Sequence, residues 1–459
     1  MKDLQAMVPP AVTNFTRNYA RWGVAFGPRF FLLLVVGVLW LTLAFFDLRW
    51  AYAMLAWDGL VLLVWLADLL ALPKPQKLQV RRSWHGPPAL SVTSKVEITL
   101  INASTITLHA EVLDAVPVQL RPQPPQLEIS AGEKGEASQQ YEIRPVQRGT
   151  VVLGDIYVRY QSVFRIAERW VKASLGQRVQ IYPNLEEAKK QSVYLVRSRQ
   201  IELEKRHTRM RGLGREFESL REYREGDEYR DICWTAAARR GKLVTRIYQV
   251  ERSQTIWIVI DSGRLMRARI GELTKLDYAV NAALSLAQVA LYSGDRVGLI
   301  AYGRKLQQRV PAARGSTHLR HMMEQLSAIH EETAEADHLR TAGLLLTDQK
   351  RRSLVVWMTD LAETAMTPEV IDAASQMMPR HLVLFVVIGQ PDLNKLAGLD
   401  PKNKEEMYRI AAAQEMLHRR ELLLARLRER GALALEVSSA ALAPTLVNSY
   451  LEVKARNQL

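Results

Sequence analysis

Two apolar runs, Phe30 to Phe46 and Trp50 to Leu72, are separated only by Asp47, Leu48 and Arg49. The first holds 17 residues, with only Gly37 and Thr42 outside the strongly apolar set. As a helix it spans roughly 25 Å, close to a bilayer core. The second holds 23 residues, long enough to cross with tilt, although Asp58 and Asp68 interrupt it. Trp40, Trp50, Tyr52, Trp57 and Trp65 add rings that favour membrane interfaces. The pattern predicts a transmembrane helical hairpin over residues 30–72. A buried hairpin of a soluble protein is the alternative, disfavoured because the runs are longer and more uniformly apolar than core helices.

Orientation follows from the short flanks. Lys2, Arg17, Arg21 and Arg29 precede the hairpin, and Lys74, Lys77, Arg81 and Arg82 follow it, which predicts that both termini and the soluble domains are cytoplasmic. Residues 1–29 form a cytoplasmic N-terminal segment without a convincing small-residue cleavage site, which argues against a cleaved secretory signal. Asp58 falls deep in the second crossing, where an unpaired charge is costly, so a partner on a neighbouring helix or protomer is expected. Asp68, near Lys74, reads as a solvated or ion-paired boundary residue.

From Lys77 the pattern changes to short alternating runs such as Val96-Glu97-Ile98-Thr99-Leu100 and Ile156-Tyr157-Val158, punctuated by Pro117, Pro122, Pro124, Pro125, Gly132 and Gly135. Period-two alternation with turn residues predicts a β-sandwich over 77–190, of immunoglobulin or fibronectin type. A charged connector follows over 191–253. The region 254–459 alternates again: Gln254 to Asp261, Arg296 to Tyr302, Leu354 to Asp360 and Leu382 to Gly389 read as strands. Leu273 to Leu291, Thr317 to Ile329 and Asn403 to Arg430 read as helices, the last stopped by Gly431 before a final strand at Leu433 to Val437. Strands rich in Val, Leu and Ile separated by helices predict a doubly wound α/β domain.

Composition adds limits. The single cysteine, Cys233, excludes an intramolecular disulfide and reads as a structural thiol. A net charge of +14 and a pI near 9.8 suit an anionic inner leaflet at least as well as nucleic acid. The basic stretch from Lys205 to Arg211 lacks interleaved aromatics for base stacking and reads as an exposed loop or leaflet contact. The scattered histidines give no zinc motif, and there is no phosphate-binding loop, so neither nucleic acid nor autonomous ATP hydrolysis is expected.

The connector carries the sharpest signal: Gly214-Arg215-Glu216-Phe217, Leu220-Arg221-Glu222-Tyr223, Gly226-Asp227, Arg230-Asp231-Ile232, Trp234 and Ala237-Ala238-Arg239. Its arginines and carboxylates suit either a structural ion-pair network or a binding surface. This series resembles the bacterial DUF58 family, as do the hairpin, Arg148-Gly149 and Tyr182-Pro183 in the sandwich, and the C-terminal region. The resemblance implies a two-pass protein of the bacterial cytoplasmic (inner) membrane with a von Willebrand factor A-like domain. It also implies a partner, a MoxR-type AAA+ ATPase, in envelope or complex-assembly work.

In von Willebrand A domains a divalent ion sits at the carboxyl edge of the sheet, held by a D-x-S-x-S motif with a threonine and an aspartate from other loops. Here Asp261 and Asp360 end their strands, but the motif reads Asp261-Ser262-Gly263-Arg264-Leu265, with both serines replaced. The remaining ligands are Asp261, Asp360 and a hydroxyl from Ser316 or Thr317, and Arg264 is placed to substitute for the cation. No cofactor is therefore expected, with Mg²⁺ on Asp261, Thr317 and Asp360 as the alternative. The expected function is a non-enzymatic membrane-anchored adaptor, and oligomers are compatible with it. Its partner-binding candidates are Asp261, Arg264, Asp360, Arg215, Arg221, Tyr223, Asp227, Arg230, Trp234 and Arg239. The rival is a Mg²⁺- or Mn²⁺-dependent hydrolase at the same carboxylate edge.

Overall fold

Two short strands, β1 (Ala11–Asn14) and β2 (Val24–Phe26), precede the helices α1 (Pro28–Ala44) and α2 (Arg49–Ala71). Strands β3 (Leu78–Trp84), β4 (Ser94–Asn102), β5 (Leu108–Asp114), β6 (Gln126–Ala131) and β7 (Glu136–Ile143) follow. Then come β8 (Gly149–Leu153), β9 (Ile156–Gln161), β10 (Ala167–Ala173) and β11 (Gln177–Ile181). The computed structural model describes residues 11–14, 23–45, 47, 49–184, 216–225, 227–249, 254–360 and 369–456. The chain divides into two units, Met1–Tyr182 and Pro183–Leu459.

In the first unit two antiparallel sheets, ordered β1-β3-β4-β7 and β2-β10-β9-β5-β6, share one core, with β8 and β11 paired separately. Alternation sets the buried face: along β5, Leu108, Ala110, Val112 and Asp114 are buried and the residues between them are half-exposed. Asp114 is there because Arg82, also fully buried, reaches it from β3 in the other sheet. Its Nε donates to Asp114 Oδ2 at 3.0 Å, Nη2 donates to Oδ1 and to the Gly154 carbonyl at 3.0 Å, and Nη1 donates to the Leu175 carbonyl at 2.9 Å. The Tyr141 hydroxyl donates to the same carboxylate at 2.7 Å. Every charge in this cluster is matched, which is what makes an ion pair tolerable in an apolar core. Arg82, counted from the sequence among the membrane-flanking positive charges, is therefore an internal cross-link between sheets.

The N-terminal segment is part of this unit. β1 pairs with β3 (Ala11 opposite Arg82, Asn14 opposite Gln79) and β2 pairs with β10 (Val24 opposite Arg169, Phe26 opposite Ala167). A boundary separating residues 1–29 from a sandwich beginning at 77 is thereby corrected: the sandwich takes strands from both sides of α1 and α2. Short strands of three or four residues with no alternation of their own are recruited by edges that the longer strands leave open.

Both helices are apolar, and α2 alone is long enough to cross a membrane. They pack together: Trp57 Nε1 donates to the Leu33 carbonyl at 2.9 Å, and Trp40 stacks on Trp50 at 5.5 Å between ring centres. Gly37 permits the approach, since an added Cβ would lie 2.7 Å from the Trp57 ring and 3.0 Å from Asp58 Oδ1. That oxygen has no hydrogen-bond partner among the described residues, and the partner expected for Asp58 on a neighbouring helix or protomer is not supplied to it by α1. Asp68 is not a solvated boundary residue. It is buried and accepts from Ser162 Oγ at 2.6 Å and from the backbone amides of Ile166 at 3.2 Å and Ala167 at 2.9 Å, which fastens the end of α2 to β10. The Tyr160 hydroxyl, donating to the Pro73 carbonyl at 2.7 Å, fixes the exit of the helix as well.

In the second unit β12 (Glu216–Glu222) pairs antiparallel with β13 (Val244–Gln249), and the short helix α3 (Trp234–Arg240) lies in the loop between them. There follow β14 (Thr255–Asp261), β15 (Arg269–Ile270), β16 (Leu273–Thr274), α4 (Lys275–Tyr292), β17 (Arg296–Tyr302), β18 (Leu306–Ala313), α5 (Ser316–Ser327) and α6 (His338–Asp348). The chain continues through β19 (Leu354–Thr359), α7 (Glu369–Met377), β20 (Leu382–Gly389), α8 (Pro391–Ala397), α9 (Lys404–Glu429), β21 (Leu433–Ser438) and α10 (Leu442–Ala455). One sheet has the order β18-β17-β14-β19-β20-β21, parallel throughout except for β18 at its edge. Its central strands are buried on both faces: Trp257, Trp357 and Phe385 pack with α6, α7 and α9 on one side, and Ile258, Leu299 and Val356 are buried on the other. The molecule is thus a multidomain mixed α/β protein.

Two substitutions test the anchors of the first unit. Asp68→Ala leaves two backbone amides without acceptors and should lower unfolding stability by about 2–4 kcal/mol. Asp114→Ala strands the Arg82 charge and should cost about 3–5 kcal/mol. Urea unfolding of the full chain in detergent micelles, followed by tryptophan fluorescence, reads both. Losses under about 0.5 kcal/mol, the range of ordinary surface changes, would show that these anchors are idle.

Candidate functional site

The reversal of strand order on either side of β14 opens a crevice at the carboxyl edge of the parallel strands, the usual ligand position in such sheets. Register places Asp261 beside Thr359, with Asp360 one residue further on. Both aspartates are buried. Asp261 Oδ1 accepts from the Gly263 amide at 2.7 Å and Oδ2 from the Thr359 hydroxyl at 2.6 Å. Burial pushes the Asp261 carboxyl up, while His338 and these two hydrogen bonds pull it back.

Asp360 is held by two cations from other elements. Lys275, at the first turn of α4, is fully buried and its ammonium donates to Asp360 Oδ2. Arg420 of α9, 1 % exposed, approaches Oδ1 at 3.5 Å and bonds Glu436 at 2.7 Å. The start of α4 is fixed by a capping box in which the Thr274 side chain accepts from the Asp277 amide and Asp277 accepts from the Thr274 amide. That lock sets where Lys275 enters. Burial lowers the Lys275 ammonium from its ordinary value, and the adjoining Asp360 carboxylate opposes this.

These residues do not fit a divalent ion. The charge such an ion would supply to Asp360 comes from Lys275 and Arg420. A serine in place of Gly263 would bring its Cβ to 3.0 Å from both the Ala336 amide nitrogen and Asp261 Oδ1. Thr317 is at the wrong end of the sheet: β18 runs antiparallel, so Ala313 lies opposite Val297 at the start of β17, and His318 bonds the Val297 carbonyl at 2.7 Å. The sequence-based ligand set of Asp261, Thr317 and Asp360 is therefore corrected. The loop that does face Asp261 is 328–337, where the Ala334 carbonyl accepts from the Arg264 amide at 2.9 Å and the Glu332 amide donates to the Ser262 carbonyl at 2.8 Å. Among the described residues no cluster of three or more His, Cys, Asp or Glu side chains could hold a metal.

Arg264, expected to substitute for the cation, is exposed and pairs with Glu335 at 3.2 Å. Lys275 takes that part. Arg264 instead lines a cavity of about 510 Å³ above the edge, together with Leu265, Arg267, Ala268, Arg269, Thr274, Glu331, Asp360, Gln390 and Met416. Behind the aspartates lies a chain of buried aromatics. Trp357 Nε1 donates to the Tyr302 oxygen at 2.7 Å, and that hydroxyl is hydrogen-bonded to His338 Nδ1 at 2.7 Å. Burial holds His338 below the ordinary histidine value and Tyr302 well above the tyrosine value.

The connector residues form a second group. Asp227 organises it, accepting from Arg221 at 2.6 Å, from the Arg224 amide at 3.0 Å and from the Thr245 hydroxyl at 3.3 Å, and its carboxyl is held below the usual range chiefly by the Arg224 amide. Tyr223 stacks on Tyr229 at 6.2 Å. Arg230 pairs with Glu228 at 3.3 Å and remains exposed, as do Trp234 and Arg239. Arg221 and Asp227 are therefore internal struts, whereas Tyr229, Trp234, Arg230 and Arg239 supply surface. Cys233 donates its amide to the Val244 carbonyl at 2.8 Å, and its thiol is lowered to about 7 by hydrogen bonds from Thr235 and Arg246. Arg215 and the basic stretch 205–211 lie outside the described residues.

The His338 environment makes a pH prediction. Because burial depresses its value in the folded state, the unfolded chain takes up a proton near pH 6.5 that the native chain declines. Stability should therefore fall as pH drops through that range. His338→Asn, which keeps a hydrogen-bond partner for Tyr302, should flatten this acid limb of the melting temperature. An unchanged pH profile in the variant would remove His338 as its source.

The model of the family described as "Protein of unknown function DUF58" matches residues 219–420. Uncharacterized protein YeaD of Bacillus subtilis (strain 168) is 23% identical over 210 residues, 44% of this chain and 48% of its own length. The match thus spans about half of that relative. Uncharacterized protein Mb1516 of Mycobacterium bovis is 26% identical over 220 residues, 44% of this chain and 69% of its own. Among solved structures, proximal thread matrix protein 1 from the mussel byssus aligns with 43% of this chain and 46% of its own at 13% identity and a TM-score of 0.28, too low to bear on fold. The connector from Leu220 onward and strands β14 to β20 of the sheet lie within the matched span, and over that span the chain is similar to the DUF58 family.

Proposed function

We propose that this protein is a non-enzymatic, two-pass membrane anchor whose α/β unit, of von Willebrand A type, docks a protein partner at the carboxyl edge of its sheet. The observation that carries the reading is the Lys275–Asp360–Arg420 cluster: the carboxylate that would bind a catalytic ion is already neutralised by side chains of the chain itself. A fixed internal cation organises a binding surface, but it offers no exchangeable position for a substrate or a metal-bound water. The exposed Tyr229 and Trp234 beside Arg230 and Arg239 have the composition of a protein interface. The DUF58 resemblance points to a MoxR-type AAA+ ATPase as the partner.

The membrane part of the reading rests on exposure and on topology. Along α2, large apolar side chains such as Leu55, Leu63 and Leu70 are more than half exposed, and on α1 Leu32, Val35 and Leu39 are likewise, whereas the core helix of a soluble protein would bury them. Both ends of the helix pair are held by β10: β2 pairs with it just before α1, and Asp68 bonds its first residue at the end of α2. If α2 crosses a bilayer, α1 must return through it. The flanking Arg29, Lys74 and Lys77 support a cytoplasmic position for that shared end at a bacterial inner membrane.

Affinity capture of the full chain from bacterial membranes should recover a MoxR-type AAA+ ATPase, and calorimetric titration of the purified chain with Mg²⁺ or Mn²⁺ should be silent. Absence of any AAA+ protein from the capture removes the proposed partner. Tight ion binding abolished by Asp360→Ala would instead support a metal-dependent hydrolase.

A further inference from the structure

We infer that the cavity at the sheet edge receives an acidic side chain from the partner, clasped by Arg269 and Arg267 without a metal ion. This deepens the docking reading above and rests on it. The cavity, about 510 Å³, lies in the size range of specific ligand sites. Three arginines from one short stretch, Arg264, Arg267 and Arg269, line it against two carboxylates, Glu331 and Asp360.

The two carboxylates are not equivalent. Asp360 is buried and spoken for by Lys275 and Arg420, so it adds little negative field to the opening. Glu331 is opposite Arg267 at 3.8 Å, a loose and partly exposed pair. Arg264 and Glu335, at 3.2 Å, are exposed as well. Pairs of this kind exchange readily for an incoming anion, because solvent already screens them. Arg269 has no ion pair or side-chain hydrogen bond among the described residues; its side chain is exposed, and its backbone is held by the small β15–β16 pairing, Arg269 opposite Thr274.

The lining also selects the kind of anion. Planar guanidinium groups match a carboxylate in two parallel hydrogen bonds. Leu265 and Met416 supply apolar wall for the methylenes of a glutamate, and Gln390 adds an amide at the rim. A phosphate group carries more charge than a carboxylate and would meet Glu331 at the same mouth. The chemistry favours an acidic protein segment over a nucleotide. Lys275 below the floor does for this site what a divalent ion does elsewhere: it keeps Asp360 from repelling the ligand.

The test uses the full chain in lipid nanodiscs and a fluorescein-labelled glutamate-rich peptide, with its glutamine counterpart as control, read by anisotropy. The glutamate peptide should bind and the glutamine peptide should not, with affinity unchanged by EDTA or added Mg²⁺. Arg269→Glu should weaken binding about tenfold. Arg352→Glu, an equal charge change just before β19 at the opposite edge, should leave it intact. Equal loss in both variants, loss in EDTA, or displacement by ATP at lower concentration than by unlabelled peptide would each overturn the assignment. Capture from membranes separates it from the reading beneath it. If wild type and Arg269→Glu recover the same AAA+ ATPase equally, the cavity is not the docking point although the adaptor reading stands. If wild type recovers none while the peptide still binds through Arg269, the cavity stands and the ATPase partner falls.

Discussion

A lysine ammonium buried against an aspartate at the edge of a parallel sheet governs the chemistry open to this protein. Removing an ammonium and a carboxylate from water is expensive, and the cost is recovered only when each charge is matched at close range. Lys275 meets that condition because the capping box at Thr274 and Asp277 fixes the first turn of α4 directly under Asp360. Arg420 completes the match from α9 and carries on to Glu436. With its charge balanced internally, the edge becomes a rigid floor rather than a coordination site.

The same logic operates in the first unit. Arg82 and Asp114 join the two sheets of the sandwich through a fully buried pair whose remaining polar atoms are satisfied by Tyr141 and by backbone carbonyls. Asp68 extends it to the helices, accepting three hydrogen bonds from Ser162, Ile166 and Ala167. An apolar helix offers few polar side chains of its own, so its attachment to the sheet comes from the polar group at its end. Asp68 is placed where it is needed, and through it the helix pair and the sandwich form one mechanical piece.

Three buried carboxylates, Asp68, Asp114 and Asp360, thus each fasten one element to another. None of the three is available to a partner directly. The exposed groups stand above or beside them: the arginine-lined cavity at the sheet edge, and Tyr229 and Trp234 of the connector. If the proposed docking holds, internally neutral supports of this kind leave little order to be gained on binding.

Element types were legible in the sequence because they depend on local periodicity. The apolar runs gave α1 and α2 within two residues, alternation gave β4 and β9, and Val- and Leu-rich runs gave β14, β19 and β20 with Asp261 and Asp360 at their ends. The connector motif likewise pointed to the DUF58 family, whose model matches 219–420. What the sequence could not determine was which charges meet. Lys275 is the one lysine of a mainly apolar helix, a faint signal, and Arg420 is hidden among the many charges of a long amphipathic helix. Thr317 was drawn to the wrong edge because strand direction, not sequence distance, decides which loop faces Asp261, and β18 runs antiparallel. The recruitment of β1 and β2 into the sandwich was equally invisible, as pairing at a sheet edge needs only a short extended segment. Local patterns report on neighbours in the chain, whereas buried ion pairs and strand partners are chosen by tertiary proximity, which only the folded structure supplies.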